Sequence, residues 1–174
     1  MQKRTKLLSI ALALLVGLLV ISAVAAQAAV TEFTGSEITC SEGLPEKEWT
    51  SGNVLHIRNQ IITTRILTTD NRTTGMNTIV LNFNLNLTNG TGGLYGTFHL
   101  QPDEVNGAWE GRFSGQFTNF VTSVHATGHG RGELAGLQEM VTLQGTDLPA
   151  SNPCPAGTPT AATLVTGRIL APNE

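Results

Sequence analysis

The stretch Ile79-Val80-Leu81-Asn82-Phe83-Asn84-Leu85-Asn86-Leu87-Thr88 decides the fold. Ile79, Leu81, Phe83, Leu85 and Leu87 alternate with Val80, Asn82, Asn84, Asn86 and Thr88. This period of two gives an antiparallel strand one apolar face and one asparagine face, the latter turned to water or to a polar interior. The next five residues, Asn89-Gly90-Thr91-Gly92-Gly93, tolerate positive φ. From Leu94 to Leu100 the alternation resumes, with Leu94, Gly96, Phe98 and Leu100 set against Tyr95, Thr97 and His99. Two alternating runs joined by such a turn form a hairpin.

Working outward, Gln101 to Gly107 reads as another turn and Ala108 to Phe120 as another strand, with Trp109, Phe113 and Phe117 on one side and Arg112, Ser114, Gln116 and Thr118 on the other. Gly111 and Gly115 fall on the aromatic side, where they leave room for rings from a neighbouring strand or allow sharp coiling. Further strands are expected at Val54 to Thr69, as one long bent strand, and at Val121 to Gly128, Leu137 to Gly145 and Ala162 to Leu170. Turns are expected at Asp70 to Gly75, Gly130 to Gly136 and Leu148 to Thr160. No stretch after the N-terminal segment holds helical spacing for three turns, so any helix is confined to a turn or so around Pro45 to Trp49. The expected fold class is all-β: a single antiparallel meander closed into a roughly eight-stranded barrel, which removes exposed edges. A two-sheet sandwich is the alternative.

The first 28 residues read as an export signal. Lys3, Arg4 and Lys6 precede an uncharged run from Leu7 to Val30, which ends in the small residues Ala26-Gln27-Ala28. Cleavage is expected near Ala28. The run is also long enough to span a bilayer as an uncleaved anchor, the only route by which a membrane becomes a partner. Either way, the basic start places the rest outside the cytoplasm. Residues 29–174 then form one domain, since removing 28 of 174 residues leaves 146. Three of the ten basic residues lie in the signal, leaving seven Lys and Arg against 13 Asp and Glu, or about −6. A dispersed, outnumbered set of basic residues argues against nucleic-acid binding.

Two cysteines, Cys40 and Cys154, lie near the two ends of the expected domain. In an oxidising compartment their pairing is the default, with two separate buried thiols as the alternative. A reactive thiol is disfavoured, because Asn152-Pro153-Cys154-Pro155 offers no basic neighbour to stabilise a thiolate.

Gly128-His129-Gly130-Arg131-Gly132-Glu133-Leu134-Ala135-Gly136-Leu137, preceded by Gly107-Ala108-Trp109-Glu110-Gly111-Arg112-Phe113-Ser114-Gly115, resembles the Gly-x-Gly-x-Leu-x-Gly hairpin of allene-oxide-cyclase-like barrels. The similarity extends over residues 79–147. It implies an eight-stranded antiparallel barrel, akin to the dirigent proteins and to small secreted bacterial barrels, with a lumen able to hold an apolar ligand. Gln138-Glu139-Met140 depart from the glycine repeat. The plant enzymes' catalytic residues do not map onto this chain, so no catalytic role is carried over.

His125 and His129 share a strand face, and His99 stands with Tyr95 on the polar face of its own strand. The spacing lacks the tight ligand pairs of zinc motifs, so no metal and no cofactor is expected. Glu110, Glu133 and Glu139 are available for acid–base work but read equally as solvated turn and rim residues. No nucleophile elbow, P-loop or dinucleotide fingerprint occurs. Sequons at Asn71, Asn86 and Asn89 serve as surface markers. The Asn and Thr richness fits either exposed strand faces or a carbohydrate-contacting surface, which would require exposed Trp49 and Tyr95.

The reading that best combines these signals is a secreted, non-enzymatic barrel binding a small, largely apolar ligand, with Tyr95, His99 and Arg112 as candidate ligand contacts. A cyclase- or isomerase-type enzyme, steered by His99, Arg112 or Glu110, is the alternative. A cell-surface interaction or structural domain without a pocket is the third. An enzyme requires ionisable groups converging inside the barrel.

Overall fold

The structure is a computed structural model describing residues 29–149 and 151–172; the expected export segment, residues 1–28, lies outside the described residues. Among the described residues there are nine strands: β1 (Val30–Glu42), β2 (Lys47–Ser51), β3 (Val54–Thr68), β4 (Gly75–Asn86), β5 (Gly92–Pro102), β6 (Gly107–Thr118), β7 (Val121–Gly132), β8 (Gln138–Thr146) and β9 (Ala161–Leu170). Each pairs antiparallel with its neighbour in the order β1-β9-β8-β7-β6-β5-β4-β3-β2, and β1 also pairs with β3. β1 and β3 to β9 therefore form a closed eight-stranded barrel.

The barrel closes through β1, a strand not expected from the sequence. Its inward positions, Phe33, Gly35, Glu37 and Thr39, are not uniformly apolar, and its outward Ile38 and Cys40 are buried, so the usual alternation is absent. The segment around Pro45 to Trp49 corrects the one helical expectation, since it leads directly into β2. Lys47 to Ser51 pair with Arg58 to Val54 along the edge of β3 that β1 leaves free. The long bent strand is present as β3, kinked where register shifts between Ile57 and Gln60 and Asn59 takes φ 53°. Arg58 stabilises the kink by donating to the Ile57 and Phe83 carbonyls at 2.7 and 2.8 Å.

One turn is shorter than expected and another is displaced by one residue. β7 runs through Gly130, which pairs with Trp109, and stops at Gly132. β4 starts at Gly75, after a 3₁₀ turn over Asn71–Thr73 whose N-cap, Asp70, accepts from the Arg72 amide.

One end of the barrel is plugged. Phe33, Leu100, Trp109, Leu134, Val165 and Ile169 pack there, and the Trp109 indole donates to the Arg72 carbonyl at 2.7 Å. That bond satisfies the polar edge of a side chain with no solvent exposure. The opposite end carries the β1–β2, β4–β5, β6–β7 and β8–β9 connections. There the segment between β8 and β9 returns along β1, held by the Thr160 amide on the Thr39 carbonyl (3.1 Å) and by the Cys40–Cys154 disulfide. This bridge is the expected one and joins residues 114 apart in sequence with a Cα–Cα distance of 5.4 Å.

Because the bridge restricts most of the chain when unfolded, a Cys40→Ser/Cys154→Ser variant should lose stability, by up to about 5 kcal/mol on chain-entropy grounds. Calorimetric melting of oxidised wild type against this variant checks it; equal melting temperatures would contradict it.

Candidate functional site

Above the plug the barrel is hollow, with a cavity of ≈ 550 Å³ reaching the open end. The opening follows from the inward residues of β5, β6 and β7. Gly96, Gly111 and Gly128 point inward without side chains, so aromatic rings lie against the wall and do not cross the lumen. A methyl group at Gly111 would approach Phe98 ring carbons to 2.5–2.6 Å, and one at Gly96 would approach Phe113 Cζ to 2.6 Å. The expectation that glycines on the aromatic side accommodate rings from a neighbouring strand is met at Gly111.

Most of the lining is apolar, including Ile79, Leu81, Phe83, Leu94, Phe113 and Phe117. Directly over the plug it changes character. Glu37 on β1, Thr64 on β3, Asn77 on β4, Glu139 on β8 and Thr163 on β9 all line the cavity there. Register fixes this level: Asn77 pairs with the plug residue Leu100 and with Thr64, while Glu139 pairs with the plug residue Ile169. Glu37, Asn77 and Glu139 are 6, 4 and 2 % exposed.

The hydrogen bonds of this floor are unevenly distributed. Thr64 Oγ1 donates to Glu37 Oε1 at 2.6 Å and Asn77 Nδ2 donates to the same oxygen at 2.9 Å. Asn77 Oδ1 and Thr163 Oγ1 are buried without a partner. Burial raises the pKa of the Glu37 carboxyl, and its two donors partly oppose that. Burial, followed by the charge of Glu37, pushes the Glu139 carboxyl up to about 8, and no hydrogen bond offsets it. Glu139 is therefore protonated at neutral pH in the empty barrel. Among the described residues, every ionisable side chain lining the cavity is acidic: Glu37 and Glu139 at the floor, Glu42 and Glu48 near the mouth.

The residues singled out from sequence lie elsewhere. Tyr95, His99 and Arg112 are on the outer face of β5 and β6, and none lines the cavity. His99 Nδ1 stands 3.6 Å from Glu110, which also accepts from Arg131 at 3.1 Å. His125 and Thr142 are in contact at 3.2 Å, and His56 and Asn84 at 2.7 Å. Among the described residues no group of three or more His, Cys, Asp or Glu is placed to hold a metal ion. Trp49 and Tyr95 are exposed, but Trp49 stacks on His56 at 4.7 Å with Arg58 5.2 Å from its ring centroid, a contact that fastens β2 to the wall. Glu139, read from sequence as a solvated rim residue, is a correction: it is in phase with inward Val141 and Leu143 and is buried. That phase is the signal that could have found it, as could the phase of Asn77 with Ile79 and Leu81.

No protein-family model, curated protein or solved structure matches the chain.

Because the folded state keeps the Glu139 proton that an unfolded chain releases near pH 4.5, stability should fall as pH rises from about 4.5 through about 8. Glu37, also raised, acts in the same direction. The barrel should melt at a higher temperature at pH 5 than at pH 9, and Glu139→Gln should flatten the difference by raising the value at pH 9. A variant with the wild-type slope would show that Glu139 is not its source.

Proposed function

We propose that this protein is an exported barrel that binds one small, largely apolar molecule in its lumen without transforming it. The observation that carries this reading is the ≈ 550 Å³ apolar cavity where a small barrel would otherwise be filled by side chains. The volume falls within the roughly 300–1,000 Å³ of small-molecule sites. Its mouth favours uptake from an apolar source: Leu44, Leu87, Phe120 and Leu148 are exposed on connections around it, with Val121 exposed at the start of β7. Phe120 is held there at φ 66°, a conformation unusual for a bulky residue and a frequent mark of functional turns.

Export is supported by the basic and apolar N-terminal segment, and the disulfide fits an oxidising compartment outside the cytoplasm. Kinship with the allene-oxide-cyclase-like and dirigent-like barrels is part of the same proposal, supported by the hollow eight-stranded architecture. A cyclase- or isomerase-type reaction is the second reading. It is favoured by one observation, that two buried carboxyls, Glu37 and Glu139, line the lumen, a pair of groups of the type acid–base catalysis uses.

Native mass spectrometry of the barrel purified from an oxidising host compartment, with solvent extraction of the same sample, should reveal one bound apolar compound per chain. The neutral fluorophore N-phenyl-1-naphthylamine should bind the emptied barrel saturably at one site. A barrel that carries nothing and does not bind the fluorophore would contradict the proposal. Recovery of two isomers from wild type but only one from Glu139→Gln would favour the enzymatic reading.

A further inference from the structure

We propose that the lumen selects a cationic amphiphile, an apolar amine whose ammonium group rests between Glu37, Glu139 and Asn77 at the floor while its hydrocarbon body fills the apolar walls above. This deepens the lumen-binding reading and rests on it.

Three observations converge. The first is the sign of the cavity: four carboxyl side chains line it and, among the described residues, no Lys, Arg or His does. Burying a carboxylate without a cation is costly, and burying two together more so. A fatty acid or phosphate headgroup would add to the repulsion, whereas a cation relieves it. The second is the count of open acceptors. Both donors to Glu37 use Oε1, leaving Oε2 free. Asn77 gives its amide nitrogen to Glu37, so Oδ1 is turned away, buried and without a partner. Glu139 supplies a further oxygen once its proton has gone to solvent. An ammonium carries three N–H donors and no acceptor, matching Glu37 Oε2, Asn77 Oδ1 and the Glu139 carboxylate. Thr163, which pairs with Glu37 across β1 and β9, has its Oγ1 also buried without a partner.

The third is shape. From Asn77 at the floor to Leu85 near the mouth is eight residue steps along β4, about 26 Å of strand. At the usual strand tilt this is about 20 Å along the barrel axis. Aliphatic and aromatic side chains line that length, so the occupant has one polar end and a long apolar body. A hydrated divalent metal fits neither these walls nor the ligand count, since such ions take six or more oxygens. Glu42 and Glu48 near the mouth add an attractive field for an approaching cation.

The test is displacement of N-phenyl-1-naphthylamine from the full barrel by three matched probes at neutral pH, below their micelle concentrations: dodecylamine, dodecanol and dodecanoate. Dodecylamine should displace at roughly tenfold lower concentration than dodecanol, as expected for charge-assisted hydrogen bonds, with dodecanoate weakest. Glu37→Gln/Glu139→Gln keeps the shape of the floor and removes its charge. It should bring dodecylamine level with dodecanol. If that variant does not fold, the wild-type ranking decides alone. Dodecanol matching or exceeding dodecylamine would overturn the amine assignment and leave lumen binding standing. An amine preference that persists in the double variant would overturn it too, by placing the selectivity at the mouth. If neither the fluorophore nor any probe binds, lumen binding falls, and the amine assignment with it.

Discussion

The rest of the structure depends on β1 pairing along both of its edges. Through Val30 to Thr39 it meets β9, and through Gly35 to Glu42 it meets β3. Without it, β9 and the second half of β3 would be open edges, and the sheet would be an unclosed meander whose inner face lay open to water. The strand that closes the wall also brings Glu37 into the lumen, opposite the asparagine and threonine that bond to it. Closure and the polar floor are thus one event in sequence: Phe33 enters the plug, and Glu37, two inward positions later, stands at the cavity floor.

Closure leaves the amount of interior filling to the inward side chains. At the plugged end these are large: Trp109, Leu100, Phe33 and Ile169. Above it, glycines on β5, β6 and β7 let Phe98 and Phe113 lie along the wall. A side chain at Gly96 or Gly111 would press on the Val80 or Thr127 carbonyl of the next strand as well as on Phe113 or Phe98. The hollow is therefore built by residues that contribute no side chain, and the acids at its base face a volume that water or a ligand must fill.

Much of the wall was legible because it obeys the period of two. Ile79 to Thr88 and Leu94 to Leu100 announce a hairpin, and the glycines among Trp109, Phe113 and Phe117 announce close ring packing. The pairing of Cys40 with Cys154 followed from compartment and count. β1 was not legible, because its inward face carries Gly35, Glu37 and Thr39 and its outward Ile38 and Cys40 are buried, Cys40 through its disulfide to the segment before β9. The floor was missed for a related reason. A glutamate in a strand is ordinarily placed in water, so Glu139 reads as rim, whereas His99, Arg112 and Tyr95 are of types that suggest chemistry but have a phase that points outward. Where residue type and strand phase disagreed, phase was the better guide to which side chains enter the lumen.

The central feature is a hollow barrel whose floor holds two carboxyl groups, with no Lys, Arg or His lining the cavity among the described residues. Carbon-13 NMR of glutamate side-chain carboxyls in the emptied barrel, followed through a pH titration, tests this most directly. The Glu139 signal should change near pH 8, identified by its loss in Glu139→Gln, and should shift when Glu37 is replaced by Gln. A Glu139 carboxyl that titrates in the ordinary carboxylate range, indifferent to Glu37, would mean that it stands in water and that the lumen floor is not as described.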